Sequence, residues 1–173
     1  MTLRHVDPLA RRGLGYRLYA WLVGTRPMGR VSRAIGWRLD PVLMRLSSGR
    51  VGFGLALPTA LLETRGARTG ALRRTVVIYF HDGDRVCVVA SKLGLPENPS
   101  WFYNLLAHPD VVFGGEPFRA FVVEDPAELV RLWPLAYRVF PGYAAYRRRA
   151  AGAGREIPLV ALVPASREAV GGY

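Results

Sequence analysis

Lysine and cysteine are almost missing from this chain. Of its 24 basic residues only Lys92 is a lysine, and Cys87 is its one cysteine, which excludes an intramolecular disulfide. Cys87 lies in an apolar run that is typical of a buried residue, so we predict a reducing, cytoplasmic location. The arginine bias indicates a GC-rich coding genome. A lysine that survives this bias either has a lysine-specific role, such as a compact charge on a phosphate, or is retained by chance on a loop.

The common catalytic motifs are also missing. The three histidines, His5, His81 and His108, lack metal-ligand spacing, so we predict no metal site, and His81 is expected to be solvated beside a turn. Neither G-x-S-x-G nor a phosphate-binding P-loop occurs, and Cys87 has no base nearby in sequence. Because the sequence offers few candidate acid–base or nucleophilic side chains, we expect a bound cofactor to supply the chemistry.

Long apolar runs and negative charge are scarce. No run approaches the ~20 residues needed to span a bilayer. The 24 basic residues face only 13 acidic ones, which gives a formal net charge of +11 and predicts an anionic partner. This partner could be a phosphorylated or carboxylated small molecule, a membrane surface or nucleic acid. Dispersed arginines without a recognised motif argue against nucleic acid, which we therefore exclude from the predicted partners.

The chain reads as one domain with an N-terminal extension. Residues 1–50 are predicted to form amphipathic helices in which aromatic residues such as Tyr16 and Trp21 alternate with arginines. Such helices lie either at the inner face of the plasma membrane or against the domain itself, and the sequence leaves both open. Residues 51–168 form the predicted main domain, and residues 169–173 a frayed tail.

Short apolar and β-branched runs predict about six strands joined mostly by hairpins. The runs are Leu55–Thr64, Arg74–His81, Arg85–Ser91, Val111–Phe113, Phe118–Glu124 and Ile157–Val163. Asp82-Gly83 favours a type I′ hairpin turn, Asn98 is a good cap for a helix beginning at Pro99, and Asp125-Pro126 opens a helix that runs to Val139. Without regular βαβ alternation, the predicted class is α+β or mainly β: a small antiparallel barrel with flanking helices.

Backbone donors and cations gather in the middle of the chain. Gly66 and Gly70 bracket Arg68 in a turn where a ligand could approach the backbone, and Arg68 could pair with a phosphate or carboxylate. Only one of Arg73 and Arg74 can face the same side, because successive strand residues point to opposite faces. The small residues before Lys92 leave room for a planar ring.

Five motifs in this order resemble the deazaflavin-dependent nitroreductase family. They are T-x-G-x-[RK]-[ST]-G, a following Arg, a D-G-D hairpin, V-V-A-S-K-x-G and N-P-x-W-[FY]-x-N-L, which together span Leu61 to Pro109. Members are split β-barrel oxidoreductases that use coenzyme F420, an 8-hydroxy-5-deazaflavin. The resemblance implies hydride transfer from C5 of the reduced coenzyme to quinones and, adventitiously, to nitro compounds.

The resemblance also assigns residues. It implies a coenzyme site made by Arg68, Thr69, Arg73, Thr75, Val76, Val77, Val89, Ala90, Ser91, Lys92, Trp101, Phe102 and Asn104. It places Ile78, Phe140, Tyr143 and Tyr146 in the acceptor pocket, with Ser91 and Tyr143 as candidate catalytic hydrogen-bond donors. Ile78 stands where some members have a tyrosine. The pocket is therefore expected to be more apolar and to suit quinone-like acceptors better than nitroimidazoles.

Two alternatives remain open at this stage. One is an enzyme that uses flavin mononucleotide (FMN) on the same barrel, and the other is a non-catalytic carrier of the deazaflavin or of a lipid. A homodimer is compatible with either reading.

Overall fold

A computed structural model describes residues 3–11, 13–23 and 57–165 of the chain. Its six strands form one antiparallel sheet that closes into a barrel in the order β1-β2-β3-β6-β5-β4. The strands are β1 (Thr59–Arg65), β2 (Leu72–Asp82), β3 (Arg85–Val89), β4 (Asp110–Phe113), β5 (Glu116–Val122) and β6 (Leu159–Pro164). Each strand therefore has a neighbour on both sides over at least part of its length. The predicted antiparallel barrel with flanking helices is confirmed.

Within the described ranges, four α-helices accompany the barrel: α1 (Leu14–Val23), α2 (Ser100–Ala107), α3 (Pro126–Val139) and α4 (Gly142–Ala151). The start of α3 is as predicted, because the Asp125 side chain accepts from the backbone N–H groups of Ala127 and Glu128 at 3.1 and 3.3 Å. None of the helices in the described ranges is long and apolar enough to cross a membrane. Residues 24–50 of the predicted N-terminal extension, residues 51–56 at the start of the predicted main domain and the predicted tail lie outside the described residues.

Strand register divides the apolar side chains between two cores. One set fills the barrel interior: Leu62, Tyr79, Val86, Val88, Val111, Phe113, Phe118, Val160 and Leu162. A second set, Phe80, Cys87, Leu159 and Ala161, is buried on the outer face, where α3 packs against β2. Burial raises the pKa of Cys87 to about 12, which agrees with the predicted inert, buried thiol.

The barrel is split between β2 and β3. These strands pair only from Tyr79 to Asp82 on β2, although β2 begins at Leu72. The end of β3 follows β6 instead, with Val89 opposite Leu159 and Ala90 N–H donating to Pro158 O at 3.0 Å. Within the described chain, the β2 edge from residue 72 to 78 therefore has no strand partner on its β3 side. In the described structure, the backbone N–H and C=O groups that this edge directs toward β3 are available to a ligand.

The β2–β3 hairpin is where the sequence places it, but its turn type differs from the prediction. Gly83 and Asp84 are the two central residues, and of these only Gly83 has a positive φ, +61°. A positive φ at the first central position alone defines a type II′ turn, so the expected type I′ turn is wrong.

The N-terminal segment closes one end of the barrel. Tyr79 points into the interior and its hydroxyl donates to Arg4 O at 2.8 Å. Val6 N–H donates to His81 Nδ1 at 3.0 Å, and His81 N–H donates back to Val6 O at 2.9 Å. The His81 ring also stacks on His5, with ring centroids 4.3 Å apart. The expectation of a solvated His81 is wrong, because this segment covers the ring and uses it as an acceptor.

Stability should fall when the solution becomes mildly acidic. Burial, helped by the nearby His5, lowers the pKa of His81 below its usual value, so the unfolded chain binds a proton more readily than the folded one. The contribution of neutral His81 is present above pH about 6.5 and is lost as the pH falls toward the folded-state pKa. Urea denaturation at pH 7.5 and 5.5 measures this effect. His81→Asn should have a smaller pH dependence, and an unchanged dependence would contradict the assignment.

Candidate functional site

We call residues 66–71, between β1 and β2, the basic turn. Helix α2 supports this turn through Asn104. Asn104 Nδ2 donates to the buried Thr64 hydroxyl at 3.0 Å, and Asn104 Oδ1 accepts from Ala67 N–H at 3.0 Å. The turn is closed by Gly70 N–H donating to Gly66 O at 2.8 Å. Asn104 is itself buried, so in this structure its polar atoms support the turn. Arg68 and Thr69 are exposed on the outer side of the same turn.

Two arginines after this turn have different surroundings. Arg74 lies opposite Glu63 and its Nε donates to Glu63 Oε2 at 2.8 Å. Arg73 lies opposite Thr64 and, within the described ranges, has no ion pair. The register thus places Arg73 on the face that Asn104 supports, which agrees with the expectation that only one of the two arginines faces the site.

The segment after β3 has an unusual backbone. Lys92, Leu93 and Gly94 have φ values of +43°, +59° and +73°, three left-handed residues in succession, directly after Ser91 in a right-handed conformation. A left-handed conformation costs a non-glycine residue about 1–2 kcal/mol, so surrounding contacts must stabilise this turn. We call residues 91–94 the Ser91 turn.

The Ser91 turn presents backbone donors. Gly94 N–H donates to Ser91 O at 2.9 Å and Leu95 N–H to Lys92 O at 3.0 Å. In the part of the chain that the structure describes, the N–H groups of Lys92 and Leu93 have no acceptor. A right-handed residue followed by a left-handed one directs successive N–H groups to the same side, the arrangement of anion-binding concavities known as nests.

The side chain of Lys92 is engaged at the surface. Its Nζ donates to Glu97 Oε2 at 2.9 Å and to Asn98 O at 3.3 Å, and the lysine hydrogen bond holds the pKa of Glu97 below its usual value. Glu97 is fully exposed, so this ion pair contributes little to stability. An anionic group can therefore compete with Glu97 for the lysine.

The predicted ring-contacting residues flank the split in the barrel. Val76 and Ile78 are half-buried on the outer face, whereas Val77 is buried toward the interior. Val89 and Ala90 are buried at the end of β3. Extending the β2–β3 register beyond its last pair, Tyr79 and Val88, would place Ser91 opposite Val76, although the two strands no longer pair at that point. Thr75 is half-buried one residue earlier on β2.

The basic turn and the Ser91 turn adjoin the two strands that border the split. Arg65 pairs with Leu72 at the beginning of β2, so the basic turn precedes the unpaired part of that strand, and the Ser91 turn follows the end of β3 at Val89. The predicted coenzyme residues therefore form two groups, one near each of these turns.

The aromatic helices provide apolar packing around these groups. Trp101 and Phe102 of α2 are buried, with ring centroids 6.4 Å apart, and belong to the hydrophobic core. The rings of Phe140, Tyr143 and Tyr146 form a second cluster, with centroid distances of 5.0, 5.8 and 6.3 Å.

The second cluster is packed against the Ser91 turn. A Cβ at Gly94 would lie 2.4 Å from Tyr146 O, so only glycine allows this close approach. Within the described residues the hydroxyl of Tyr143 has no hydrogen-bond partner, and burial raises its pKa, which keeps it protonated. A buried hydroxyl without a partner is unusual in folded proteins and is available as a donor.

Sequence reasoning missed the residues that hold the Ser91 turn. Arg149 Nη1 donates to Leu93 O at 2.6 Å, and the buried Arg155 makes several hydrogen bonds to the same region. Asn98, predicted as a helix cap, instead accepts from Arg155, and α2 begins at Ser100 with Pro99 as its cap residue. Nothing in the local pattern indicates these partners, which lie more than 50 residues apart in the chain.

Comparison with known proteins identifies the family and the fold. The sequence profile of the F420H(2)-dependent quinone reductase family matches residues 37–164. An F420H(2)-dependent quinone reductase of Mycobacterium tuberculosis (strain ATCC 25618 / H37Rv) is 37% identical over 133 residues, which cover 72% of this chain and 87% of the relative. Among solved structures, an F420-H2 dependent reductase (FDR-A) matches with a TM-score of 0.53 at 31% identity, over 61% of this chain and 93% of the other. A structure described as a domain-swapped dimer matches with a TM-score of 0.55 at 29% identity, over 73% and 96%. This chain belongs to the F420H(2)-dependent quinone reductase family.

Proposed function

We propose that this protein reduces a quinone-like acceptor with a hydride from reduced coenzyme F420. The observation that carries the proposal is the split between β2 and β3: among the described residues, the β2 edge has no strand partner there, and the N–H groups of Lys92 and Leu93 after β3 have no acceptor. The residues present fit the coenzyme: a flat ring can lie against the β2 edge, and anionic groups can reach the N–H groups of Lys92 and Leu93. F420 supplies a two-electron hydride from C5 of its reduced ring when it is bound.

The basic residues would bind the anionic part of the coenzyme. Arg68 is exposed on the supported turn and Arg73 has no carboxylate partner among the described residues, so both can pair with phosphate or carboxylate groups. Lys92 can exchange Glu97 for a phosphate. These contacts would orient the ligand, and holding the reacting atoms in the correct geometry is one way in which a protein accelerates hydride transfer.

Two hydroxyls are the proposed donors to the acceptor. Negative charge develops on a quinone oxygen during reduction, and a positioned donor stabilises it. Tyr143 retains its proton because burial raises its pKa, and Ser91 lies at the beginning of the turn that α4 packs against. The surrounding rings of Phe140 and Tyr146 exclude water. We propose Ile78 as a further apolar wall on the outer face of β2.

The direct test is anaerobic oxidation of reduced F420 with menadione, followed by absorbance. We expect coenzyme turnover and tight F420 binding, with Tyr143→Phe lowering kcat by roughly tenfold or more while coenzyme affinity is unchanged. Protein that binds no F420 at micromolar concentration would overturn the proposal. Preferential FMN binding would favour the flavin alternative, and tight F420 binding without turnover of any quinone would favour a carrier. Reduction of nitro compounds stays a separate prediction, tested by the same assay.

Charge at Lys92 should control coenzyme affinity. Lys92→Ala is expected to raise the F420 dissociation constant about tenfold, because a charge-assisted hydrogen bond is lost. Glu97→Gln should act in the opposite direction and tighten binding about twofold, because the competing carboxylate is removed. Fluorescence titration measures both. Arg131→Ala, which removes a cation bound to Asp82 at the far end of β2, serves as the control. Equal effects of Lys92→Ala and Arg131→Ala would mean that only the total charge matters.

Membrane contact through α1 remains a proposal. One side of this helix packs on the domain, because Tyr16 OH donates to Val139 O at 2.7 Å and Ala20 is fully buried. Leu14 and Leu18, 82% and 59% exposed, lie one turn apart on another side. We expect Leu14→Ser with Leu18→Ser to reduce binding to anionic vesicles without unfolding the protein. Unchanged vesicle binding would favour the interpretation that α1 only packs against the domain.

Dimerisation is likewise proposed. A related structure at 29% identity is described as a domain-swapped dimer, and that description supports the proposal of a dimer here. Light scattering after size exclusion would give the mass of the species in solution.

A further inference from the structure

Arg155 holds the segment from residue 90 to 98 with one side chain. Its Nε donates to Asn98 Oδ1 at 2.9 Å, and its Nη2 donates to Ala90 O at 2.5 Å. Both terminal nitrogens approach Ser91 O at 3.3 Å, and Nη1 also donates to Leu95 O. Arg155 is only 9% exposed. One planar group thus binds four separate points of a single loop.

All these partners are neutral oxygens. None of the ion pairs in the described ranges involves Arg155, and burial lowers its pKa. A buried cation without a carboxylate is costly, and arginine cannot escape the cost by losing its proton. The hydrogen bonds to four oxygens of one loop offset this cost, so Arg155 contributes by fixing the conformation of residues 90–98.

Arg155 holds the Ser91 turn through two carbonyl oxygens, Ser91 O and Leu95 O. Ser91 O and the N–H of Lys92 belong to one peptide group, and Leu95 O follows the last left-handed residue. Anchoring both ends fixes three left-handed residues that the backbone would not adopt unaided. A guanidinium on Ser91 O also polarises that peptide group and makes its N–H a stronger donor.

We propose that Arg155 is the positioning residue of the coenzyme site, which holds the Ser91 turn so that the N–H groups of Lys92 and Leu93 face the anionic ligand. This inference rests on the proposed function. Arg155 acts through the turn and does not itself touch the coenzyme. The fork of the guanidinium matters as well as its charge, because a lysine ammonium is a compact point charge without this planar geometry.

The test compares Arg155→Met and Arg155→Lys with Arg147→Met, a control in which a guanidinium that binds Tyr137 OH and stacks on Trp133 is lost. We expect Arg155→Met to raise the F420 dissociation constant by at least about tenfold. At saturating coenzyme, kcat should change by less than about threefold, because Tyr143 makes no hydrogen bond with Arg155 and bound coenzyme would itself hold the turn that carries Ser91. Arg155→Lys, the milder change for folding, should recover only part of the affinity. Arg147→Met should bind F420 as the parent protein does.

Amide hydrogen exchange on the coenzyme-free protein gives a second readout. We expect faster exchange confined to residues 91–98 in Arg155→Met and Arg155→Lys, with unchanged barrel strands. Parent-like affinity with unchanged exchange would overturn the inference, as would full rescue by lysine or an increase spread evenly over all strands. If the parent protein bound no F420, the proposed function and the coenzyme part of this inference would fall. The exchange data would still decide whether Arg155 holds the turn.

Discussion

Replacing Gly94 with alanine is expected to lower the free energy of unfolding by about 2–4 kcal/mol and to abolish detectable F420 binding. Gly94 has a φ of +73°, which is strained for any other residue. A Cβ there would also lie 2.4 Å from Tyr146 O and 2.9 Å from Tyr146 Cα. Because these are backbone atoms of α4, they cannot rotate away. The helix and the Ser91 turn must then separate. Denaturant unfolding and F420 titration measure the two effects.

Gly83→Ala is a matched control. Gly83 also has a positive φ, +61°, but a Cβ there would meet no atom within 4 Å. This variant introduces backbone strain without a clash, and we expect it to lose about 1–3 kcal/mol and to retain coenzyme binding. Equal losses in the two variants would show that the contact between α4 and the Ser91 turn does not matter for the site.

Asn104→Ala should have the second largest effect. The truncation leaves the Thr64 hydroxyl and the Ala67 N–H without their partner. Thr64 is buried, so its unsatisfied hydroxyl costs about 1–3 kcal/mol, whereas Ala67 is exposed and its N–H can bond to water. The basic turn then loses its support, and we expect the F420 dissociation constant to rise about tenfold because Arg68 is no longer held in place. Unfolding experiments and fluorescence titration measure these changes.

Leu106→Ala on the same helix provides the comparison. Leu106 is exposed, and alanine preserves helix propensity, so neither stability nor coenzyme affinity should change appreciably. If Asn104→Ala destabilised the protein but left the affinity for F420 unchanged, the basic turn would not be part of the coenzyme site.

Local signals in the sequence predicted local structure well. Asp125-Pro126 marks the start of α3 because a carboxylate can cap free N–H groups while proline presets φ for the first helical residue. Pro141-Gly142 separates α3 from α4, and the short β-branched runs predict an antiparallel barrel. Each of these signals acts over a few residues, so the sequence alone contains what is needed.

The order of the five motifs also indicated the family, which the comparisons confirm. The roles of individual residues did not follow from the motifs. The sequence drew attention to the charge of Lys92. In the structure, Lys92 has a left-handed backbone, and its N–H has no acceptor among the described residues. Asn104 looked like a ligand contact, yet both its polar groups bond to the turn beneath Arg68.

What the sequence by itself determined is therefore the class of barrel, the start of α3 and the family. The split between β2 and β3, the covering of His81 and the anchoring of the Ser91 turn by Arg155 were decided only by the tertiary structure. The physical reason is range: Asn98 and Arg155 are 57 positions apart, and Val6 and His81 are 75 apart. Hydrogen bonds across such separations depend on how the whole chain closes into the barrel, and no local pattern specifies them.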